Sequence, residues 1–206
     1  MNNLQSAKRN NRLTIIALVI LFVSPVLLAT IMHSQWWSYR PVTTKNHGQL
    51  LEPPMAIEGW QKRDTDDHKP IWTIATLSPD NCQSDCQEQL GWLRQVRAAQ
   101  GRHRQQVQLT LVTAADITAE QQAAVNAVST AITIVNQTQS PALFEALSSA
   151  AEGVKLPVTF IIDPAGFIIL RYAAGSDATG MRKDIGRLIT WTNKTLGAIT
   201  EGKRDQ

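Results

Sequence analysis

The chain has 206 residues and a formal net charge of +3. This length suits one domain with a full apolar core and a short N-terminal extension, and no segment of the sequence repeats. The small charge, part of which lies at the N-terminus, provides no basic stripe of the kind that binds nucleic acid. The sequence contains no phosphate-binding loop, nucleophile elbow or paired-carboxylate motif, which excludes the nucleotide-binding and hydrolase classes that depend on them.

An apolar run near the N-terminus predicts a membrane anchor. Residues 13–32 carry no charged side chain, and a helix of that length would measure roughly 30 Å, enough to cross a bilayer. Pro25 lies within the run, where a membrane helix tolerates it as a kink. Basic residues precede the run and aromatic residues follow it: Lys8, Arg9, Arg12, Trp36, Trp37 and Tyr39.

The basic flank also predicts the orientation of this anchor. Because basic residues stay on the cytoplasmic side, residues 1–12 are predicted to be cytoplasmic and the chain after residue 32 to be exported. We therefore expect a single-pass protein of a bacterial-type inner membrane with a periplasmic domain. A cleaved signal peptide is the alternative, but the apolar run exceeds the usual length of about 7–15 residues and no A-x-A site follows it.

The next segment, residues 33–69, is predicted to be a tether that leads into the domain. It contains prolines and glycines, among them Pro53, Pro54 and Gly59, and a polar run before residue 70, so little regular structure is expected there. Residues 70–200 carry the patterns of a folded domain, and residues 201–206 form a polar tail.

Alternation and helical spacing predict the elements of that domain in chain order. Strands are predicted at 71–77, 107–113, 131–135, 158–162 and 167–172. Helices are predicted from Cys86 towards Gly101, from a capping box at Thr118 and Gln121, at 141–151 and at 179–196. Met181, Ile185, Leu188, Ile189 and Trp191 should face inward from the last helix, and Trp60, Trp72 and Trp92 should lie in the core or at its rim. This order implies a mixed α/β sheet with helices on both faces.

The two cysteines of the chain, Cys82 and Cys86, lie three residues apart at the start of the first helix of this domain. In one helical turn their Cα atoms would be about 6 Å apart, within the range that a disulfide allows. The helix N-terminus favours a thiolate by about 0.3–1 kcal/mol, whereas a carboxylate such as Asp80 or Asp85 at about 6 Å opposes it by roughly 1–3 kcal/mol. The sequence therefore does not rank the acidity of the two thiols.

Three functions remain open for this pair at the level of the residues. A cycling disulfide would exchange with other thiols, and two soft thiolates can instead hold Cu(I). A purely structural disulfide is the third, although closing so short a loop removes little chain entropy from the unfolded state.

The motifs around the pair resemble two groups of thioredoxin-like proteins. A strand that ends before Cys-x-x-x-Cys, residues 112–116, and the hairpin at 161–166 resemble the Sco/SenC family of cytochrome c oxidase assembly proteins. Residues 154–163 instead resemble the membrane-tethered TlpA/ResA thiol-disulfide oxidoreductases. The resemblance implies a tethered thioredoxin-like domain that acts in cytochrome c oxidase biogenesis, on cysteines of the oxidase copper site or of a copper chaperone.

The resemblance also implies roles for individual residues. Cys82 would be the nucleophile and Cys86 the resolving thiol, and Pro157 would be the proline, usually cis, that faces the redox pair. The histidine that completes the copper site of Sco proteins is absent, because its stretch here is Lys155-Leu156-Pro157. Exchange is therefore favoured over a Cu(I) site at Cys82 and Cys86, and no other cofactor is expected.

Two alternatives to exchange remain: a Cu(I) chaperone with an unidentified third ligand, and an assembly protein that docks without redox turnover. His68 and His103 are predicted to lie too far from the cysteines to bind a shared metal. His47, in the tether, is the remaining candidate, although an isolated linker histidine is usually just solvated.

Overall fold

The computed structural model describes residues 15–27, 30, 46–78 and 82–202, with side chains up to Leu196. The chain divides into two compact units, Met1–Lys45 and Asn46–Gln206. In the first unit, residues 15–27 form helix α1. None of the helices within the described ranges is both long and apolar enough to cross a membrane. The predicted anchor at 13–32 lies partly outside the described residues and stays a prediction.

The second unit is built on one six-stranded sheet. Its strands are β1 (Gln49–Ala56), β2 (Trp72–Leu77), β3 (Val107–Thr113), β4 (Ile132–Asn136), β5 (Val158–Ile162) and β6 (Phe167–Tyr172). They lie in the order β1-β6-β5-β2-β3-β4. Strand β3 pairs in parallel with β2 and β4, whereas β2–β5, β5–β6 and β1–β6 are antiparallel pairs. The prediction of a mixed sheet is confirmed.

Helices cover both faces of this sheet. They are α2 (Ser84–Ala98), α3 (Ala119–Val128), α4 (Pro141–Ala150) and α5 (Ala178–Gly202), with a short 3-10 helix at Gly101–Gln106. Buried side chains of α2, α3 and α5 join one apolar cluster with Ile74 and Ile161. Those of α4 join a second cluster with Leu77 and Phe160. Three helices therefore pack on one face of the sheet and one helix packs on the other.

Local sequence signals explain where several of these elements begin. The capping box at the start of α3 is present as predicted: the Thr118 hydroxyl accepts from the Gln121 N–H, and the Gln121 side chain accepts from the Thr118 N–H. Pro141 opens α4 at a position where its missing N–H costs nothing. Strands β2 and β5 are buried along their whole length, as their apolar, β-branched composition requires.

The prediction of little regular structure at 33–69 is wrong for β1. This strand pairs with β6 through Leu50↔Leu170 and Met55↔Ile168, and the register shifts between the two pairs. Pro53 and Pro54 lie in that irregular stretch. They are tolerated because β1 is at the edge of the sheet, where an absent N–H need not break a ladder.

The predicted orientation of Trp191 is also wrong. Its side chain is 68% exposed, whereas Met181, Ile185 and Ile189 are buried. At 3.6 residues per turn, Trp191 lies about 120° around α5 from the centre of that buried stripe. Trp92 is exposed although Leu90 and Leu93 of α2 are buried, because it also points away from the buried face of its helix. Trp72 is buried in the core as expected.

Candidate functional site

Cys82 and Cys86 are joined by a disulfide at the start of α2, with a Cα–Cα distance of 5.1 Å. This Cα–Cα distance is close to the one expected from the sequence, but the two cysteines do not share the first helical turn. Cys82 precedes the N-cap residue Gln83, whose backbone is extended, and Cys86 is the third residue of the helix. The disulfide therefore links the incoming loop to the first turn of α2.

This disulfide is buried. Cys82 is 2% exposed and Cys86 is 3% exposed, and both belong to the apolar cluster between the sheet and α2. Gln87 fixes the loop from the helix side, because its Nε2 donates to the Cys82 carbonyl at 3.2 Å. A thiol can reach either sulfur only after a local opening of the chain around the bond.

The helix N-terminus supplies the electrostatic environment of Cys86. The N–H groups of the first turn have no intrahelical acceptors, and the Gln83 side chain makes no capping hydrogen bond to them. They and the helix dipole favour a thiolate once the bond is reduced. Asp85 is the acidic residue of the same turn and opposes this effect.

Pro157 lies at the edge of the sheet where β2 ends. Leu77 pairs with Val158, so Pro157 is next to the start of the connection from β2 to Cys82. Pro157 is buried, and the peptide bond between Leu156 and Pro157 is cis, as the resemblance implied. Its role towards the cysteines stays a prediction.

A buried polar cluster beneath α2 was missed by the sequence analysis. Thr76 and Thr159 share a hydrogen bond of 2.9 Å between their hydroxyls, and Gln89 Nε2 donates to Thr159 Oγ1 at 3.2 Å. Gln89 follows Cys86 by three residues, so it lies on the same helix face one turn further on. This spacing, within a stripe of buried residues, was the sequence signal that could have predicted a buried Gln89.

Metal binding at the disulfide pair would need a further ligand from the described residues. Within them, no group of three or more His, Cys, Asp and Glu side chains is arranged to hold a metal ion. The candidate His47 is engaged elsewhere: its Nδ1 lies 3.1 Å from Asp184 Oδ1, and its backbone N–H donates to Asp184 Oδ2 at 2.7 Å. His47 is therefore held at Asp184.

Asp184 forms a second buried polar cluster that no sequence pattern indicated. Besides His47, its carboxylate accepts from the Gly48 N–H at 3.1 Å and from the Tyr172 hydroxyl at 2.7 Å, and it pairs with Arg187. Burial by itself would raise the pKa of Asp184, but these hydrogen bonds hold that pKa below its ordinary value. Burial and the neighbouring Asp184 carboxylate raise the pKa of Tyr172 above its ordinary value. Asp184 thus ties the segment before β1 to α5 and β6.

Comparison with known proteins gives one family match. Residues 72–191, more than half of the chain, match the family described as the transmembrane-like, thioredoxin-like, C-terminal domain. A search of curated proteins found no significant match.

Solved structures with related folds are distant in sequence. The thioredoxin domain of a thiol-disulfide oxidoreductase from Bacteroides vulgatus is 14% identical, with 72% of this chain and 99% of that chain covered and a TM-score of 0.43. Copper-bound ScoI from Arabidopsis thaliana is 16% identical, with coverages of 66% and 99% and a TM-score of 0.46. StoA from Bacillus subtilis is 14% identical, with coverages of 60% and 93% and a TM-score of 0.40.

Proposed function

The chain belongs to the transmembrane-like, thioredoxin-like, C-terminal domain family, and from that premise we propose that it is a membrane-tethered thiol-disulfide oxidoreductase. The observation that carries the proposal is the disulfide between Cys82 and Cys86 at the start of α2. The bond encloses so short a loop that it contributes little to stability through chain entropy. Its position at a helix N-terminus suits reversible chemistry better than structural cross-linking.

The exchange proceeds in two steps that conserve electrons. In the reduced protein, the Cys82 thiolate attacks one sulfur of a substrate disulfide, forms a mixed disulfide and releases one substrate thiolate. The Cys86 thiolate then attacks the Cys82 sulfur, which closes the bond within the protein and releases the second substrate thiolate. The substrate gains two electrons and takes up two protons, and the same steps in reverse oxidise a substrate dithiol.

The surroundings of Cys86 support its role as the resolving thiol. It lies inside the helix at the third position, where the N–H groups of the first turn, which have no intrahelical acceptors, stabilise its thiolate. The neutral cluster of Gln89, Thr159 and Thr76 lies one turn below and places no opposing charge there. Cys82 precedes the helix in a loop, so it is the sulfur that a modest loop movement would expose.

The substrate is proposed from the sequence resemblance to Sco/SenC proteins. On that basis the chain acts in cytochrome c oxidase biogenesis, on cysteines of the oxidase copper site or of a copper chaperone. Residues 13–32 would anchor it in a bacterial-type inner membrane, with the thioredoxin-like domain on the periplasmic side. We propose exchange rather than Cu(I) carriage, because His47, the remaining candidate for a third ligand, is hydrogen-bonded to Asp184.

Trapping of mixed disulfides tests the exchange. Cys86→Ser keeps the proposed nucleophile but removes the resolving thiol, so it should accumulate disulfide-linked adducts with oxidase or copper-chaperone cysteines, identified by mass spectrometry. Cys82→Ser is the matched control and should accumulate far fewer adducts. Equal trapping by the two variants would contradict the assigned order of the thiols. A double Cys→Ser variant that still supports oxidase assembly would favour a docking role without redox turnover.

A further inference from the structure

A second site lies on the face of the sheet opposite the disulfide. There, a cavity of about 320 Å³ opens between strands β2–β4, the start of α4 and the loop that contains Trp60 and Arg63. Small-molecule sites in proteins occupy about 300–1,000 Å³, so the cavity is large enough for a small ligand. Thr73 and Leu143 line it on the sheet side and the α4 side, respectively.

The Thr73 hydroxyl is the feature of this cavity that most needs a partner. Thr73 is 1% exposed, and its Oγ1 makes no hydrogen bond. Buried hydroxyls are nearly always hydrogen-bonded, because a buried hydroxyl without a partner has lost its hydrogen bonds to water and gained none in the protein. Thr76, on the other face of the same strand, shows the usual situation with its hydrogen bond to Thr159. Thr73 therefore indicates a polar group that the protein itself does not supply.

Further polar groups line the same wall. Thr73 of β2 pairs with Gln108 of β3, and Thr110 of β3 pairs with Thr133 of β4, so these polar side chains lie side by side across the sheet. Gln108 Nε2 donates to Thr133 Oγ1 at 3.2 Å, which orients that pair. Thr73, Gln108, Thr110 and Thr133 thus form a polar strip at the base of the cavity.

The opposite wall is cationic and aromatic. Arg63 lies with its guanidinium 6.0 Å from the centre of the Trp60 ring, and it is the one charged side chain that the described part of the chain contributes to the cavity lining. Gly166 fixes the position of Trp60, since a Cβ there would lie 2.4 Å from the ring. Ser140, at the N-terminus of α4, also lines the cavity and adds the positive end of a helix dipole. Both Arg63 and this dipole favour a negatively charged occupant.

We propose that this cavity binds a small organic carboxylate. The carboxylate would pair with Arg63 and accept a hydrogen bond from the Thr73 hydroxyl, and the apolar part of the ligand would lie between Trp60 and Leu143. Hydroxyl and guanidinium donors suit a carboxylate because it offers acceptors only. The site is on the other face of the sheet from Cys82 and Cys86, so the proposal does not depend on thiol exchange.

Benzoate is a suitable probe, with benzamide as a neutral molecule of the same shape. Isothermal titration of the purified 206-residue chain should show saturable one-to-one binding of benzoate and much weaker binding of benzamide. Arg63→Gln and Thr73→Val should each weaken benzoate binding by about tenfold or more, because each removes a hydrogen bond to a charged group. Lys62→Gln removes the neighbouring charge, which pairs with Asp64 outside the cavity, and should leave binding unchanged.

Several results would overturn the proposal. They are the absence of saturable benzoate binding, equal affinities for benzoate and benzamide, retention of affinity in both cavity variants, or an equal loss in Lys62→Gln. Thr73→Val also separates a ligand site from a packing defect. It should fold with unchanged or greater stability, because it removes an unpaired hydroxyl, while it loses benzoate affinity. Arg63→Gln keeps the test decisive should Thr73→Val fail to fold.

Discussion

Replacing Asp184 by alanine tests whether a buried carboxylate holds the segment before β1 on the domain. The substitution removes the acceptor for the Gly48 N–H and the Tyr172 hydroxyl, both of which are buried. Leaving a buried donor without an acceptor costs about 1–3 kcal/mol, so these two donors together cost about 2–6 kcal/mol. The side chains of His47 and Arg187 are partly exposed, so water can replace Asp184 as their partner.

Urea denaturation followed by far-ultraviolet circular dichroism measures this loss as a fall in the free energy of unfolding. Arg187→Gln is the matched control, because it removes a half-exposed partner of the same carboxylate and should cost only about 0–1 kcal/mol. A loss below about 1 kcal/mol for Asp184→Ala would refute the assignment of Asp184 as the anchor of this segment.

The sign of the pH dependence provides a second check on Asp184. Its pKa in the folded protein is below its ordinary value, so its charge stabilises the fold above the unfolded-state pKa of about 3.9. That contribution is lost as the pH falls through the lower folded-state pKa. The stability difference between wild type and Asp184→Ala should therefore be full at neutral pH and shrink below about pH 4. A difference that grows on acidification would contradict the mechanism.

Three further predictions follow from burial and close contacts. Thr159→Val leaves Thr76 and Gln89 without their hydrogen-bond partner, so it should lower the free energy of unfolding by about 2–6 kcal/mol. The same change at Thr73, whose hydroxyl makes no hydrogen bond, should not lower it. Gly166→Ala should destabilise the chain by more than about 1 kcal/mol, because φ is +91° and Trp60 occupies the position of a Cβ. The control Gly91→Ala lies within α2, where a Cβ would meet no neighbouring atom, and should stabilise the chain by about 0.5–1 kcal/mol. Thiol trapping should show that dithiothreitol reduces the buried disulfide at least about tenfold more slowly in the native chain than in urea; equal rates would show that the bond is accessible.

The elements with local signals could be predicted from the sequence. The capping box of Thr118 and Gln121 involves residues three apart, and the apolar strand 107–113 needs no knowledge of its partners. The disulfide between Cys82 and Cys86 was predictable for the same reason, because residues so close in sequence can bond with little backbone change.

Features that depend on distant parts of the chain were missed. Strand β1 contains Pro53 and Pro54 and becomes a strand only because β6 offers it an edge. Asp184 is one of several acidic residues in the sequence, and only the fold brings His47 to it. The cavity at Thr73 likewise requires three strands, a helix and a loop to meet. Such convergence leaves no periodic signal in the sequence.

We propose that Cys82 and Cys86 form a disulfide that cycles without unfolding of the domain. Equilibration of the chain across a series of oxidised and reduced dithiothreitol ratios, followed by thiol trapping and mass spectrometry, tests it most directly. We expect one two-electron transition in which both cysteines change together while the circular dichroism spectrum stays native. A pair that remains oxidised under strong reductant until the chain unfolds would contradict it and would make the disulfide structural.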